Sequence, residues 1–380
     1  MKLTPLMVGV CLATLLGASA QAGVTYRVTD LGDLPGGGDV SLAFGLNDAG
    51  QVVGMGYGSN GYQAFVWTAS QGMQAIGPLI PGGARLSGQT SARAINESGM
   101  VVGLISGRPE DGYSFQANMT GSTVLPYTGS AIAINAAGTT AGAIQGQAAI
   151  TSAEGQTQML TDEAASGMYV YRVALNETGT LIGSGLTLPG RQTHAAFKWN
   201  PDGSYQVLQG LEAAQPGNRG TVATGINNAG LVSGYSFVGT GTWPQNTGWR
   251  PVVWGLDGLA RNLGALPGET DPMFSSLAID INDAGQVVGF VDSGSAPGAF
   301  LWTEEEGMVS LNSLIEGSDP LKSLARNFKP EAINNLGQVV GSVYINGFEH
   351  AVMLSPVPEP RTWLLMGLGA LGMALRRRCA

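Results

Sequence analysis

The chain alternates short apolar stretches with turns rich in glycine, asparagine and aspartate, and one such pattern is present seven times. In each copy an Asn-x-x-Gly sequence separates two apolar stretches, as in LAFGL-NDAG-QVVG from Leu42. The seven copies start at Asn47, Asn96, Asn135, Asn176, Asn227, Asn282 and Asn334. This pattern predicts a β-hairpin, because glycine adopts the left-handed conformation that ends such a turn at little cost, and asparagine can hydrogen-bond the turn backbone.

A third apolar segment follows in each copy after a gap of variable length, and a fourth element comes after it. The third segment reads AFVWT from Ala64 and AFLWT from Ala299, and the fourth is clearest in RNLGALPGET from Arg261. Four short strands per copy are therefore predicted. The tryptophans of the third segment recur at one position, and we expect them to pack in the core: Trp67, Trp199, Trp254 and Trp302.

The order of the elements predicts that the copies close into a ring. Successive asparagines are separated by about 48 residues on average, over 287 residues in all. The Pro-Gly-Gly element comes first, in VTDLGDLPGG from Val28, whereas the last copy stops after AVMLS from Ala351 without one. In a ring, the N-terminal strand can complete the last repeat and remove the need for a terminal cap. We therefore predict an all-β fold: residues 23–356 form a seven-bladed β-propeller of four-stranded blades, closed by the N-terminal strand.

Composition and charge exclude several functional classes. The net charge of −9 provides no positive field to replace phosphate counterions, so a nucleic-acid partner is not expected. Two histidines and two cysteines in 380 residues are too few for a zinc ribbon, an iron–sulfur cluster or a cysteine–histidine protease. A single carboxylate per repeat turn is also too few for calcium. No cofactor, metal or catalytic residue is assigned.

The N-terminal segment 1–22 is typical of a secretory signal peptide. Lys2 precedes an apolar run from Leu6 to Leu16, and small residues follow in Ala18-Ser19-Ala20 and Ala20-Gln21-Ala22. We expect the Sec translocon to export the chain and a signal peptidase to cut after Ala20 or Ala22. The alternative, a first core strand or helix, does not account for the coincidence of a charged start, a short apolar run and small residues.

The C-terminal segment 357–380 has the features of a second targeting signal. An uncharged run of 14 residues from Thr362 to Leu375 is too short for a comfortable bilayer span and is followed by cationic residues that resist export. The segment resembles the PEP-CTERM sorting signal of Gram-negative bacteria, on the residues Val357, Pro358, Glu359, Pro360, Arg376, Arg377 and Arg378. The resemblance implies transient anchoring in the inner membrane. It also implies removal of the tail by an exosortase, a membrane cysteine peptidase, and delivery to the cell surface or an exopolysaccharide matrix. A buried C-terminal helix is the alternative.

Removal of both terminal segments changes the chemistry of the chain. Cys11 and Cys379 would leave with them, so no disulfide could stabilise the mature protein. The basic residues would fall from 18 to 13 and the acidic residues from 27 to 26. We expect a soluble, acidic protein that repels polyanions.

The third apolar segment starts in a similar way in several repeats: His194-Ala195, His350-Ala351, Gln63-Ala64-Phe65 and Gly298-Ala299-Phe300. On these positions the repeats resemble the HAF repeat of bacterial extracellular proteins, which is named for the His-Ala-Phe that starts its second conserved segment. The resemblance covers nearly the whole mature chain and implies no defined activity. It implies a structural role for both histidines.

In a propeller, the Asn-x-x-Gly turns lie on one face and the connections of variable length on the other, where binding residues are usually found. The longest variable connection, YSFVGTGTWPQNTGWR from Tyr235, is rich in aromatic side chains and amides, which suit sugar rings. The candidate ligand-binding residues are Tyr235, Trp243, Gln245, Asn246, Trp249 and Arg250. The aromatic residues could instead pack the loop onto its own blade.

Two functional hypotheses follow from this sequence. The first is a non-enzymatic surface or matrix protein that binds polysaccharide or another surface protein. The second is an extracellular glycan hydrolase or lyase that uses carboxylates of the variable face, namely Glu110, Asp111, Glu269 and Asp271. A passive structural role in the matrix is a third reading of the same features.

Overall fold

Each Asn-x-x-Gly turn joins the first two strands of a four-stranded antiparallel sheet, and seven such sheets form a β-propeller. The computed structural model describes residues 24–59, 61–77, 89–106, 113–128, 130–160, 168–187, 194–211, 220–239, 248–271, 274–295 and 297–357. The predicted signal peptide and the sorting tail beyond Val357 lie outside these ranges. Within them, no helix is long and apolar enough to span a membrane.

The strands follow one another through the blades in chain order, except that the first strand belongs to the last blade. That strand is β1 (Thr25–Asp30). Blade 1 contains β2 (Ser41–Leu46), β3 (Val52–Gly58), β4 (Gly61–Thr68) and β5 (Gly72–Ala75). Blade 2 contains β6 (Gln89–Ile95), β7 (Val101–Ser106), β8 (Tyr113–Asn118) and β9 (Gly121–Thr128). Blade 3 contains β10 (Ser130–Ile134), β11 (Thr140–Ile144), β12 (Gln147–Thr151) and β13 (Thr157–Met159).

The remaining blades repeat this arrangement. Blade 4 contains β14 (Met168–Leu175), β15 (Leu181–Thr187), β16 (His194–Trp199) and β17 (Tyr205–Leu208). Blade 5 contains β18 (Thr221–Ile226), β19 (Val232–Val238), β20 (Gly248–Trp254) and β21 (Ala260–Asn262). Blade 6 contains β22 (Ser275–Ile281), β23 (Val287–Ser293), β24 (Gly298–Thr303) and β25 (Gly307–Ser310). Blade 7 contains β26 (Lys329–Ile333), β27 (Val339–Ile345), β28 (Phe348–Val357) and β1.

The N-terminal strand closes the ring, as the sequence predicts. Strand β1 is the outer strand of blade 7 and pairs antiparallel with β28, from Thr25 opposite Val357 to Asp30 opposite Val352. Val357, which the sequence places at the start of the sorting tail, is therefore also the last residue of a blade strand. Buried Tyr26 anchors the pairing in the core of blade 7.

A segment between blades 6 and 7, which the sequence pattern does not reveal, supports this closure. It contains a short helix, α1 (Leu311–Leu314), and a 3-10 helix (Leu324–Asn327). Leu311 and Ile315 pack with Tyr26 in one apolar cluster. The carboxylate of Asp319 accepts a hydrogen bond from the backbone N–H of Val28 at 2.8 Å.

The repeat asparagines join neighbouring blades as well as shaping their own turns. In every repeat the side-chain oxygen accepts the N–H of the residue four positions on, as between Asn47 and Gln51 at 3.0 Å. The side-chain amide donates to the carbonyl oxygen of the corresponding asparagine in the next blade. All seven asparagines are buried. The seven inter-blade bonds form a closed circle, which we call the asparagine ring.

In blades 1, 2 and 6, the glycine that ends the second apolar stretch of the repeat has a packing role. At Gly289, a Cβ atom would collide with the carbonyl oxygen of Leu277 and with the ring of Phe300. The corresponding Gly54 and Gly103 are crowded in the same way by Phe65 and Phe115. The aromatic residue of the third strand therefore lies over the glycine of the second strand.

The four repeat tryptophans are also buried, in agreement with the predicted core position.

Candidate functional site

Five aromatic side chains of blades 4 and 5 form a cluster at the variable face. We call the residues Tyr171, His194, Tyr235, Phe237 and Trp249 the aromatic cluster. The Trp249 ring makes edge contacts with Tyr235, Phe237 and His194, at centroid distances of 5.0, 5.3 and 5.5 Å. The Tyr171 hydroxyl and His194 Nδ1 are 2.7 Å apart, within hydrogen-bond distance. Side chains from two blades therefore meet around one tryptophan.

The cluster is partly shielded from water, which shifts its titrating groups. Burial raises the pKa of Tyr171 to about 12 and also raises the pKa of Tyr235. Burial lowers the pKa of His194, so the imidazole is neutral at neutral pH. Tyr171 nevertheless keeps 40% of its surface exposed. The cluster thus presents uncharged aromatic and hydroxyl groups to the solvent.

The structure brings together only part of the residue set predicted from sequence. Tyr235 and Trp249 are in contact, whereas Trp243, Gln245 and Asn246 lie outside the described residues. Arg250 follows Trp249 on β20 and extends from the opposite face of the sheet, because side chains alternate along a strand. Its guanidinium lies 4.0 Å from the ring centroid of Phe274 and donates to the backbone carbonyl of that residue.

Tyr171 and His194 were not among the predicted site residues. The repeat pattern predicts a structural role for His194, and nothing in the MYVYRVAL stretch distinguishes Tyr171 as a binding residue. Only the packing of blade 4 against blade 5 brings His194 into contact with Trp249, and Tyr171 joins the cluster through His194. His350, the other repeat histidine, lies on blade 7 with its Nδ1 3.9 Å from an Asp30 carboxylate oxygen.

A β-bulge in the innermost strand of each blade directs one residue toward the central channel. The pairing register skips one residue in all seven innermost strands, for example Phe44 between Ala43 and Gly45. Such bulges change the direction of side chains and are frequent near functional sites. The seven skipped residues all line a channel cavity of about 550 Å³. We call them the channel belt: Phe44, Arg93, Ile132, Tyr171, Thr224, Ile279 and Glu331.

Charged residues of both signs line this cavity: Arg93, Arg172, Asp280 and Glu331. Burial raises the pKa of Asp280 to about 6, although the N–H of Ile333 donates to its carboxylate at 3.0 Å. Burial also raises the pKa of Glu331, and the nearby positive charges of Arg172 and Arg93 oppose this effect. The guanidinium of Arg93 lies 4.5 Å from the ring centroid of Phe44. Tyr171 belongs to both the belt and the aromatic cluster, so the two features adjoin.

An aliphatic ring lies below the belt, toward the Asn-x-x-Gly face. It consists of the residues that precede the seven repeat asparagines: Leu46, Ile95, Ile134, Leu175, Ile226, Ile281 and Ile333. Four of them line both the channel cavity and a second cavity of about 200 Å³ at the Asn-x-x-Gly face. The second cavity is bordered by Asp48, Glu97, Glu177 and Asp283. The carboxylates of Asp48, Glu97, Glu177 and Asp283 accept backbone N–H groups of neighbouring blades.

The carboxylates of the second hypothesis occupy different settings. Glu110 and Asp111 lie outside the described residues. Glu269 accepts hydrogen bonds from the N–H of Asp271 at 2.7 Å and from the hydroxyl of Ser295 at 2.7 Å. Its carboxylate therefore holds the loop before blade 6 against the β23–β24 connection. Among the described residues, no group of three or more histidine, cysteine, aspartate or glutamate side chains is arranged to hold a metal ion.

Comparison with known proteins identifies the sorting signal. The PEP-CTERM protein-sorting motif matches residues 356–378 of this chain. The motif implies sorting by an exosortase and export to the surface of a Gram-negative bacterium. Its first two residues, Pro356 and Val357, are also the last two residues of β28. No curated protein sequence matches the chain.

Solved structures are similar to this chain in fold. Prolyl oligopeptidase B from Galerina marginata is 8% identical, with a TM-score of 0.52, over 84% of this chain and 50% of that chain. A gluconolactonase from Xanthomonas campestris is 13% identical, with a TM-score of 0.38, over 72% and 91% of the two chains. The calcium-binding protein regucalcin from Agrobacterium tumefaciens is 12% identical, with a TM-score of 0.36, over 68% and 87%. None of these similarities bears on activity.

Proposed function

We propose that this protein is a non-enzymatic propeller that is exported, sorted by an exosortase and bound to polysaccharide at the cell surface or in the extracellular matrix. In this proposal the Sec translocon and the exosortase act during export, with transient anchoring in the inner membrane. Both terminal segments are removed, and the mature chain begins after Ala20 or Ala22. The proposal also includes the assignment of the seven repeats as HAF repeats.

The observation that carries the binding proposal is the aromatic cluster around Trp249. Sugar rings stack their C–H faces on aromatic rings while their hydroxyls bond to polar neighbours. Tyr235 and His194 place a hydroxyl and an imidazole group beside the tryptophan ring, and the Tyr171 hydroxyl lies within hydrogen-bond distance of that imidazole. The cluster lies where the connections of variable length begin and end, and its members come from the rigid strands β14, β16, β19 and β20.

Affinity electrophoresis of the mature protein through gels that contain dextran, xylan or galactomannan tests this proposal. The protein should be retarded by at least one polymer. Trp249→Ala should reduce the retardation roughly ten- to hundredfold, the effect of losing a central aromatic anchor. Tyr344→Ala on blade 7 is the matched control, because Tyr344 is also a partly exposed aromatic strand residue, with 47% of its surface exposed.

Thermal unfolding of both variants must accompany the binding measurement, so that loss of the fold is not mistaken for loss of a contact. Equal retardation of the wild type and Trp249→Ala would contradict the proposal. Release of reducing ends from these polymers by the wild type, abolished by Glu269→Gln or Asp271→Asn, would replace it with the hydrolase hypothesis. Migration unaffected by any polymer would favour a passive matrix role.

A further inference from the structure

We infer that the channel cavity binds one neutral sugar unit at the end of a glycan chain. The inference rests on the proposed function but concerns the channel belt, which the aromatic cluster shares only at Tyr171. The inference specifies that the recognised sugar is neutral and that it stands at the end of the glycan.

The residue at the channel-belt position differs from repeat to repeat in charge and in size. The asparagine and the turn glycine are the same in all seven copies, and the residue before the asparagine is always leucine or isoleucine. The belt residues are phenylalanine, arginine, isoleucine, tyrosine, threonine, isoleucine and glutamate. The geometry is thus repeated while the chemistry changes from blade to blade. A purely structural lining would need no such range of charge and size.

The charged groups of the cavity are available to a ligand. Among the described residues, the side chains of Arg93, Arg172 and Glu331 make no hydrogen bond and no salt bridge, and Arg93 Nε is buried without a partner. Arg172 acts electrostatically on both Asp280 and Glu331, and Arg93 acts on Glu331, across gaps wider than a direct ion pair. Unpaired buried donors cost free energy until a ligand or water satisfies them.

The balance of charge favours a neutral polyhydroxylated ligand. Two arginines face two carboxylates in the cavity, so an added anion or cation would leave one charge uncompensated. A sugar hydroxyl accepts a hydrogen bond from a guanidinium and donates one to a carboxylate, and so satisfies both kinds of group. Tyr171 adds a ring face against which the C–H groups of a sugar can pack, whereas one face of the Phe44 ring is already covered by the Arg93 guanidinium.

The shape of the cavity favours a chain end. Its volume of about 550 Å³ is within the usual range for small-molecule sites. Five residues of the aliphatic ring border its lower side, and their side chains offer no hydrogen-bond partner there: Leu46, Ile95, Ile134, Leu175 and Ile226. The aromatic cluster adjoins its upper side through Tyr171. A glycan that lies on the cluster can therefore place its terminal unit in the cavity, whereas a chain that continued downward would pass apolar side chains that offer its hydroxyls no hydrogen bond.

Competition experiments can distinguish recognition of ends from recognition of internal units. Dextran, xylan and galactomannan are each compared, as long polymer and as partial hydrolysate of equal mass, for their ability to release the protein from the affinity gel. We expect the hydrolysate to compete better in proportion to its number of chain ends. Equal competition per mass would overturn the inference, as would failure of every neutral hydrolysate to compete.

Channel variants separate this inference from the proposed function. Arg93→Gln and Glu331→Gln should each weaken competition by the hydrolysate roughly tenfold or more, because a charged hydrogen bond is lost. Glu331→Gln should also improve competition by glucuronate oligosaccharides, since the cavity becomes positive. Glu305→Gln, an exposed glutamate on the outer part of blade 6, is the matched control. If Trp249→Ala abolishes binding while both channel variants bind normally, the proposed function stands and this inference fails.

Discussion

The side-chain amide of Asn334 donates a hydrogen bond to the carbonyl oxygen of Asn47 at 3.0 Å, across 287 residues of sequence. This bond joins the last repeat turn to the first and completes the asparagine ring. Pairing of β1 with β28 closes the same propeller at its outer edge. The propeller is thus closed twice. The asparagine side chains close it near the channel, and the pairing of β1 with β28 closes it at the outer edge.

Replacement of Asn334 should destabilise the fold strongly. Asn334→Ala removes the donor to Asn47 and the acceptor for the N–H of Gln338, and it leaves buried polar groups without partners. We expect a loss of about 3 kcal/mol in the free energy of unfolding, measured by urea denaturation. Asn200→Ala is the control, because that asparagine bonds Ser204 in an exposed hairpin and should cost less than about 1 kcal/mol. Equal losses would show that the asparagine ring adds nothing to an ordinary turn.

Two glycines of repeat 6 should respond differently to alanine. Gly285 has a φ of +76° with no atom within 4 Å of the added Cβ, so Gly285→Ala should cost about 1 kcal/mol through backbone strain alone. Gly289→Ala places a methyl group against the carbonyl of Leu277 and the ring of Phe300, and should cost about 3 kcal/mol. Urea denaturation of both variants measures the difference. A smaller loss at Gly289 than at Gly285 would mean that the Phe300 ring moves aside easily.

The closing strand should depend on its buried tyrosine. Tyr26 is 1% exposed and packs with Leu311 and Ile315, so Tyr26→Ala should lower the free energy of unfolding by about 3–5 kcal/mol. Hydrogen exchange should show faster exchange in β1 and β28 than in blade 3. Tyr344→Ala at an exposed position of the same blade should leave both measurements nearly unchanged. Uniform acceleration in every blade would indicate that the ring opens as one unit.

The carboxyl group of Asp280 should make stability depend on pH. Burial raises its pKa from 3.8 to about 6, so the folded state favours the protonated form. The stabilisation that protonated Asp280 gives the folded state is complete below the pKa of Asp280 in the unfolded chain. It is lost as the pH rises through the folded-state pKa of about 6. Relative to Asp280→Asn, the wild type should therefore lose up to about 3 kcal/mol between about pH 4 and 7. Urea denaturation of both proteins across this range measures it, and a constant difference would refute the assignment.

The repeat sequence determined the fold because each copy carries its own local signals. Turn glycines specify the hairpins, and apolar stretches of strand length specify the blades. The complementary ends, Val28 near one end and Ala351 near the other, are enough to predict closure. The same local reasoning groups Tyr235 with Trp249, which lie close together along the chain and are in contact across paired strands.

The tertiary structure alone decided which residues from different blades meet. The inter-blade bonds of the repeat asparagines, and the approach of His194 to Trp249, depend on the angle and distance between neighbouring sheets. The bulges that direct Arg93 and Glu331 into the channel leave no mark in the alternation of apolar residues, because they arise where the innermost strands bend around the central channel. Local propensity fixes the blades, whereas packing in the closed ring selects the residues of the channel.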